Sequence, residues 1–162
     1  MSWQKAVRTA LLFAVLVVLH FTVRPLLTWR SQPDFLVVAI MLAAVRVRPG
    51  VAAILGFGTG LLADSLAPGT FGVTAFALSI IGFTASWLKA VFFSDNVALH
   101  AFFFFVGKWA FDVLFVVLER QRSFLEMAAQ IGLWSPLSAA QTALVGLVVL
   151  MLFRGMLEAN PS

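Results

Sequence analysis

Read between charges and helix breakers, apolar residues run along this chain in six stretches: Ala6–Val23, Pro33–Val45, Val51–Leu66, Phe71–Val91, Val97–Leu118 and Pro136–Phe153. The polar stripe of a helix packed on a soluble domain is missing from them. A helix crossing the ~30 Å hydrocarbon core of a bilayer needs about 20 residues. The pattern therefore predicts an all-α integral membrane protein: one transmembrane domain over residues 1–162, built as a six-transmembrane-helix bundle. The second stretch is short, and a helix of its 13 residues rises only ~20 Å. It crosses if Arg46 and Arg48 reach back to the interface or the bilayer thins, and a five-span count is the alternative. Lys5 and Arg8 ahead of Leu11–Leu19 resemble the start of a signal peptide. No small-x-small cleavage pattern follows, so a retained first helix is expected.

Helix-end signals agree with these boundaries. Ser31-Gln32-Pro33-Asp34 reads as a cap with proline at the first helical position, and adds a carboxylate at the positive end of the helix dipole. Ser135-Pro136 reads the same way for the last span, and Ser94-Asp95-Asn96 can cap the fifth. Between the last two spans, Ser123-Phe124-Leu125-Glu126 fits a capping box. Phe124, Met127, Ala128 and Ile131 follow at helical spacing, and Gly132 is placed to stop the turn. This predicts a short amphipathic helix lying on the outer leaflet, or a ledge on which a partner docks.

Composition sharpens the picture. Of 162 residues, 62% are hydrophobic and 11% charged, against about 45–50% and about 25% in soluble domains. That excludes an ordinary soluble enzyme, a disordered regulator and a nucleic-acid reader. The excess of 11 Lys and Arg over 7 Asp and Glu is spread singly between apolar runs, the arrangement that orients a membrane protein. With the N-terminus inside, Lys5, Arg8, Arg46, Arg48, Lys89 and Arg154 are cytoplasmic, and Arg24, Arg30, Arg120 and Arg122 lie outside. Trp3 and Trp87 then fall at the inner interface, Trp29 and Trp134 at the outer one, while Trp109 fits neither belt. Both termini are expected in the cytoplasm. There is no cysteine and there are only two histidines, so no metal site and no cofactor is expected.

Candidate residues remain few. Gly56-x-Gly58-x-Gly60 imitates a phosphate loop, but it sits within an apolar helix, where Gly56-x-x-x-Gly60 reads as close helix packing. Ala6, Ala10 and Ala14 form a second small-residue stripe, facing a neighbour within the protein or a partner. Lys108 falls about 16 Å into its span, and Asp112, four residues on, shares its face. Charges at that depth require partners. The pair fixes helix packing, contacts another membrane protein or, least favoured for want of further acidic or His residues at that depth, relays protons. Asp64 opens a Gly/Pro-rich loop through Gly69 and Gly72, and its carboxylate can accept backbone N–H bonds there or serve an outward-facing ligand. His20 and His100 lie near opposite faces as separate hydrogen-bonding residues. No Ser/His/Asp, paired-carboxylate or metal-ligand constellation is present, so no catalysis and no small-molecule ligand are expected.

Four motifs stand out together: Pro33-Asp34 opening the second span, Arg48-x-Gly50, Gly56-Phe57-x-x-Gly60-Leu61-Leu62-x-Asp64 and Gly69-x-x-Gly72 before the fourth span. In these the chain resembles the bacterial rod shape-determining protein MreD family. The resemblance implies a non-catalytic inner-membrane scaffold of the cell-wall elongation machinery, maintaining rod shape. The partners it implies are an MreC-type membrane protein and, through it, MreB, RodA and the elongation penicillin-binding transpeptidase. It also implies a fold similar to the substrate-binding subunits of energy-coupling-factor vitamin transporters. Such a subunit is the alternative function, opposed by the few polar side chains, Asp64, Thr70 and Thr74, expected to converge on the outer side. A small channel or proton-coupled transporter is a weaker third class, since it needs a polar path.

Overall fold

The computed structural model describes residues 3–27, 31–89, 96–120 and 122–158. The readings placed on Trp29, Arg30, Ser94, Asp95 and the Arg154 side chain lie outside what is described. Among the described residues the regular elements are all helical, the longer ones being α1 (Trp3–Val23), α2 (Phe35–Ala44), α3 (Pro49–Ser65), α4 (Val73–Trp87), α5 (Val97–Glu119), α6 (Phe124–Ala129) and α7 (Ser135–Glu158). Three helical stretches are long and apolar enough to cross a membrane: Trp3–Leu26, Val97–Glu119 and Phe124–Leu152.

Helix α2 forms the centre. All ten of its residues are buried, enclosed by α1, α3, α4, α5 and α7. It is apolar on every side because every side meets protein, not lipid. The sequence placed the opening of this helix at Ser31 with Pro33 as its first residue. In the structure Asp34 is the cap: its Oδ1 accepts the N–H groups of Leu36 and Val37 at 3.2 and 3.3 Å, and the helix starts at Phe35. An ionised carboxylate out-competes a serine hydroxyl for these donors.

Helices α3 and α4 form the closest pair. A Cβ on Gly56 would fall on the Leu78 carbonyl, one on Gly60 on the Ala75 backbone, and one on Gly82 would lie 2.6 Å from the Ala52 carbonyl oxygen. Glycine at these positions lets the two backbones touch. Gly58 points to open space.

The last span departs most from its expectation. No break separates the Phe124 segment from α7, because Gln130–Trp134 form one π turn that joins α6 to α7, with the Ser135 N–H donating to the Gln130 carbonyl. Gly132 does not stop the helix, and Ser135-Pro136 does not start one. Pro136 has no N–H, and its ring would strike the Gly132 carbonyl in a regular α-helix; a wider π turn absorbs the misfit. The capping box at Ser123 and Glu126 is present. The expected ledge is therefore the opening of one continuous apolar helix, not a separate helix lying on the leaflet.

Candidate functional site

Several helix ends converge where α1 finishes and α2 begins. Leu12, Leu16 and His20 repeat at four-residue spacing along the buried face of α1, and that spacing carries His20 to Asp34. On the other side, α7 holds the start of α2 by polar contacts. The Thr142 hydroxyl accepts the Asp34 N–H at 3.0 Å, and the Ser138 hydroxyl donates to the Gln32 carbonyl at 2.7 Å. Ser31 donates to the Gln141 side chain at 3.3 Å. Asp34 is thereby fixed in place, 4% exposed, facing α5.

From α5, the Lys108 ammonium lies 3.2 Å from Asp34 Oδ2 and 2.5 Å from Asp112 Oδ1. It also stands 4.9 Å from the centre of the Phe111 ring, a cation–π distance. Lys108 is thus a buried ammonium shared by two carboxylates on different helices. The i,i+4 spacing brought Lys108 and Asp112 together; Asp34 was missed. The sequence places no further acidic or His residue at the depth of Lys108, and the structure corrects that: Asp34 joins it directly, and His20 through Asp34. No periodicity within one helix reports a partner on another.

His20 closes the cluster. Its Nδ1 is 3.4 Å from Asp34 Oδ1, and Arg24 Nη1 is 3.2 Å from its Nε2. Arginine can only donate, so Nε2 must accept and Nδ1 carries the proton toward Asp34. In that tautomer the imidazole is neutral, and the Leu36 N–H, 3.3 Å from Nδ1 and 3.2 Å from Asp34 Oδ1, is donated to the carboxylate. A chain Arg24–His20–Asp34–Lys108–Asp112 results, running from the exposed end of α1 into the bundle.

This chain lines a cavity of about 620 Å³, together with Phe115, Arg122, Gln130 and Trp134. Thr70 and Thr74 reach the same cavity. The expectation that few polar side chains converge at this end is therefore corrected: the helix ends gather them from five segments remote in sequence. Among the described residues no group of three His, Asp or Glu is placed to hold a metal ion.

Asp64 makes a separate anchor. It is 1% exposed, and its carboxylate accepts the N–H groups of Gly72 at 2.8 Å, Ala75 at 3.0 Å and Thr74 at 3.3 Å. These are the orphan donors at the start of α4, so a residue ending α3 caps the next helix and closes the loop through Gly69. Gly72 has φ +90°, a backbone conformation that disfavours any side chain.

The remaining candidates lie elsewhere. Ala10 and Ala14 are on the exposed face of α1, with Leu11, Val15 and Val18 beside them, and Ala6 is half-buried. Phe124 is 85% exposed. The Ile131 carbonyl accepts the Trp109 indole N–H at 3.3 Å, which gives the tryptophan that fitted neither belt a partner within the protein. Pro33 precedes the Asp34 cap and lines the cavity.

A family model described as rod shape-determining protein MreD matches residues 3–156. No curated protein and no solved structure matches the chain.

Proposed function

The chain belongs to the rod shape-determining protein MreD family, and from that premise we propose that it is a non-catalytic scaffold of the cell-wall elongation machinery in the bacterial inner membrane. The observation that carries this reading is the extent of the match, which reaches from the start of α1 into α7. Its partner is an MreC-type membrane protein, and MreB, RodA and the elongation penicillin-binding transpeptidase are reached through it. The exposed side of α1 supports the reading: Ala10 and Ala14 leave room for another helix to approach closely, with apolar side chains around them.

In this proposal residues 1–162 form one transmembrane domain of six crossings, with both termini cytoplasmic. The cavity and the Asp64 loop then face outward. The alternative, a vitamin-binding transporter subunit, is not favoured by the family match.

Copurification tests the proposal. The tagged chain, extracted from native membrane, should recover an MreC-type protein, and Ala10→Leu should reduce that recovery at least fivefold while leaving the melting temperature unchanged. Recovery of no elongation-machinery protein would overturn it.

A further inference from the structure

The charge balance of the cavity floor is unequal. Two carboxylates, Asp34 and Asp112, share one ammonium, that of Lys108, and the hydrogen bonds above leave His20 neutral. Asp34 is fully engaged: its oxygens hold two backbone N–H groups and the ammonium. Asp112 is less buried and borders the cavity. Beside it lies the fully buried Ser135 hydroxyl, outside the cavity lining. On the floor two carboxylates thus face one ammonium, and the second cation of the polar chain, Arg24, stands at the rim.

The walls suit a cation. Phe111, Phe115 and Trp134 line the cavity, and aromatic faces attract organic ammonium groups. The rim has the opposite sign. Arg24 and Arg122 border the opening and are exposed; Arg24 commits one described contact, to His20, and Arg122 pairs with Glu119 through its Nε at 3.1 Å, which leaves the terminal guanidinium donors of both for an anion. A volume of about 620 Å³ falls within the ~300–1,000 Å³ of small-molecule sites.

We propose that this cavity binds a small zwitterion, with its ammonium on Asp112 against the aromatic wall and its phosphate or carboxylate at Arg24 and Arg122. A simple anion is disfavoured, because it would meet both carboxylates at the floor. The chemistry matches an ethanolamine phosphate, free or as the headgroup of phosphatidylethanolamine. This inference goes beyond the scaffold reading, and the two fail separately: partner capture is read by copurification, the ligand by binding to the isolated chain.

The test uses the full chain purified in detergent and in nanodiscs. Native mass spectrometry compares retention of phosphatidylethanolamine and phosphatidylglycerol, and titration calorimetry measures binding of free phosphoethanolamine. Retention of the ethanolamine lipid at least fivefold above the glycerol lipid, lost in Asp112→Asn, supports the site with a lipid source. Saturable binding of phosphoethanolamine without lipid preference, also lost in Asp112→Asn, supports it with a soluble source. Arg24→Gln alters an exposed side chain and should weaken either binding about tenfold, which keeps the test valid if Asp112→Asn does not fold. Equal retention of both lipids with no phosphoethanolamine binding overturns the proposal, as does binding that neither substitution changes.

Discussion

Asp34 and Lys108 lie 74 positions apart in the chain and meet at 3.2 Å inside the helical bundle. The contact joins the cap of α2 to the middle of α5, so one carboxylate both starts the central helix and neutralises the buried ammonium.

The three charges of this cluster should respond unequally to substitution. Lys108→Met strands two carboxylates and should cost about 3–5 kcal/mol, the range for breaking a buried pair. Asp112→Asn leaves Lys108 its contact with Asp34 and should cost far less. Combining Lys108→Met with Asp34→Asn and Asp112→Asn should recover part of the loss. Melting temperatures in one detergent give the ranking; equal losses for Lys108→Met and Asp112→Asn would refute it.

The glycines of α3 should separate by what a methyl group would strike. Gly60→Ala forces the α3 and α4 backbones apart and should destabilise by about 1–3 kcal/mol, the usual cost of overpacking. Gly58→Ala meets nothing within 4 Å and should stabilise, by up to the ~0.8–1.0 kcal/mol by which alanine exceeds glycine in helices. Thermal unfolding followed by circular dichroism resolves the two signs.

Removing the Asp64 cap should loosen the start of α4. Asp64→Ala leaves three N–H groups unpaired, at about 1–3 kcal/mol for each one kept from water. Limited proteolysis should then cut between residues 66 and 73, where the parent chain resists. An unchanged digestion pattern would mean that the carboxylate does not hold the loop.

Topology can be read directly, since the chain contains no cysteine. Single cysteines at Ser2, Ser123 and Ser162 should react with an impermeant maleimide on intact spheroplasts only at Ser123. Labelling at Ser162 would demand an odd number of crossings.

What the sequence could reveal follows the range of each interaction. The Lys108–Asp112 pair and the Ser123 capping box are local, set by spacings of four and three residues, and both are readable from the chain. Gly56 and Gly60 are readable as a close-packing stripe, though not as facing α4. Asp34 appeared as a helix-start carboxylate, but its second role depends on α5 arriving beside it, which no local pattern encodes. The burial of α2 was hidden for a different reason. A run apolar on all sides looks the same whether lipid or protein surrounds it. The π turn stays hidden because Pro136 after Ser135 has the pattern of a helix start, whereas the chain widens one turn to carry it.

The burial of α2 also bears on how the protein is made. Ten residues rise only ~15 Å, about half the hydrocarbon thickness, with Asp34 at one end and Arg46 and Arg48 just beyond the other. Such a segment is a poor substrate for insertion by itself. It must enter the membrane together with its flanking helices, and the carboxylate at its start meets its ammonium only once α5 has followed, more than fifty residues later in synthesis. The nascent chain therefore carries Asp34 without its ammonium until Lys108 emerges, and biogenesis of the bundle depends on its second half to make the first half stable.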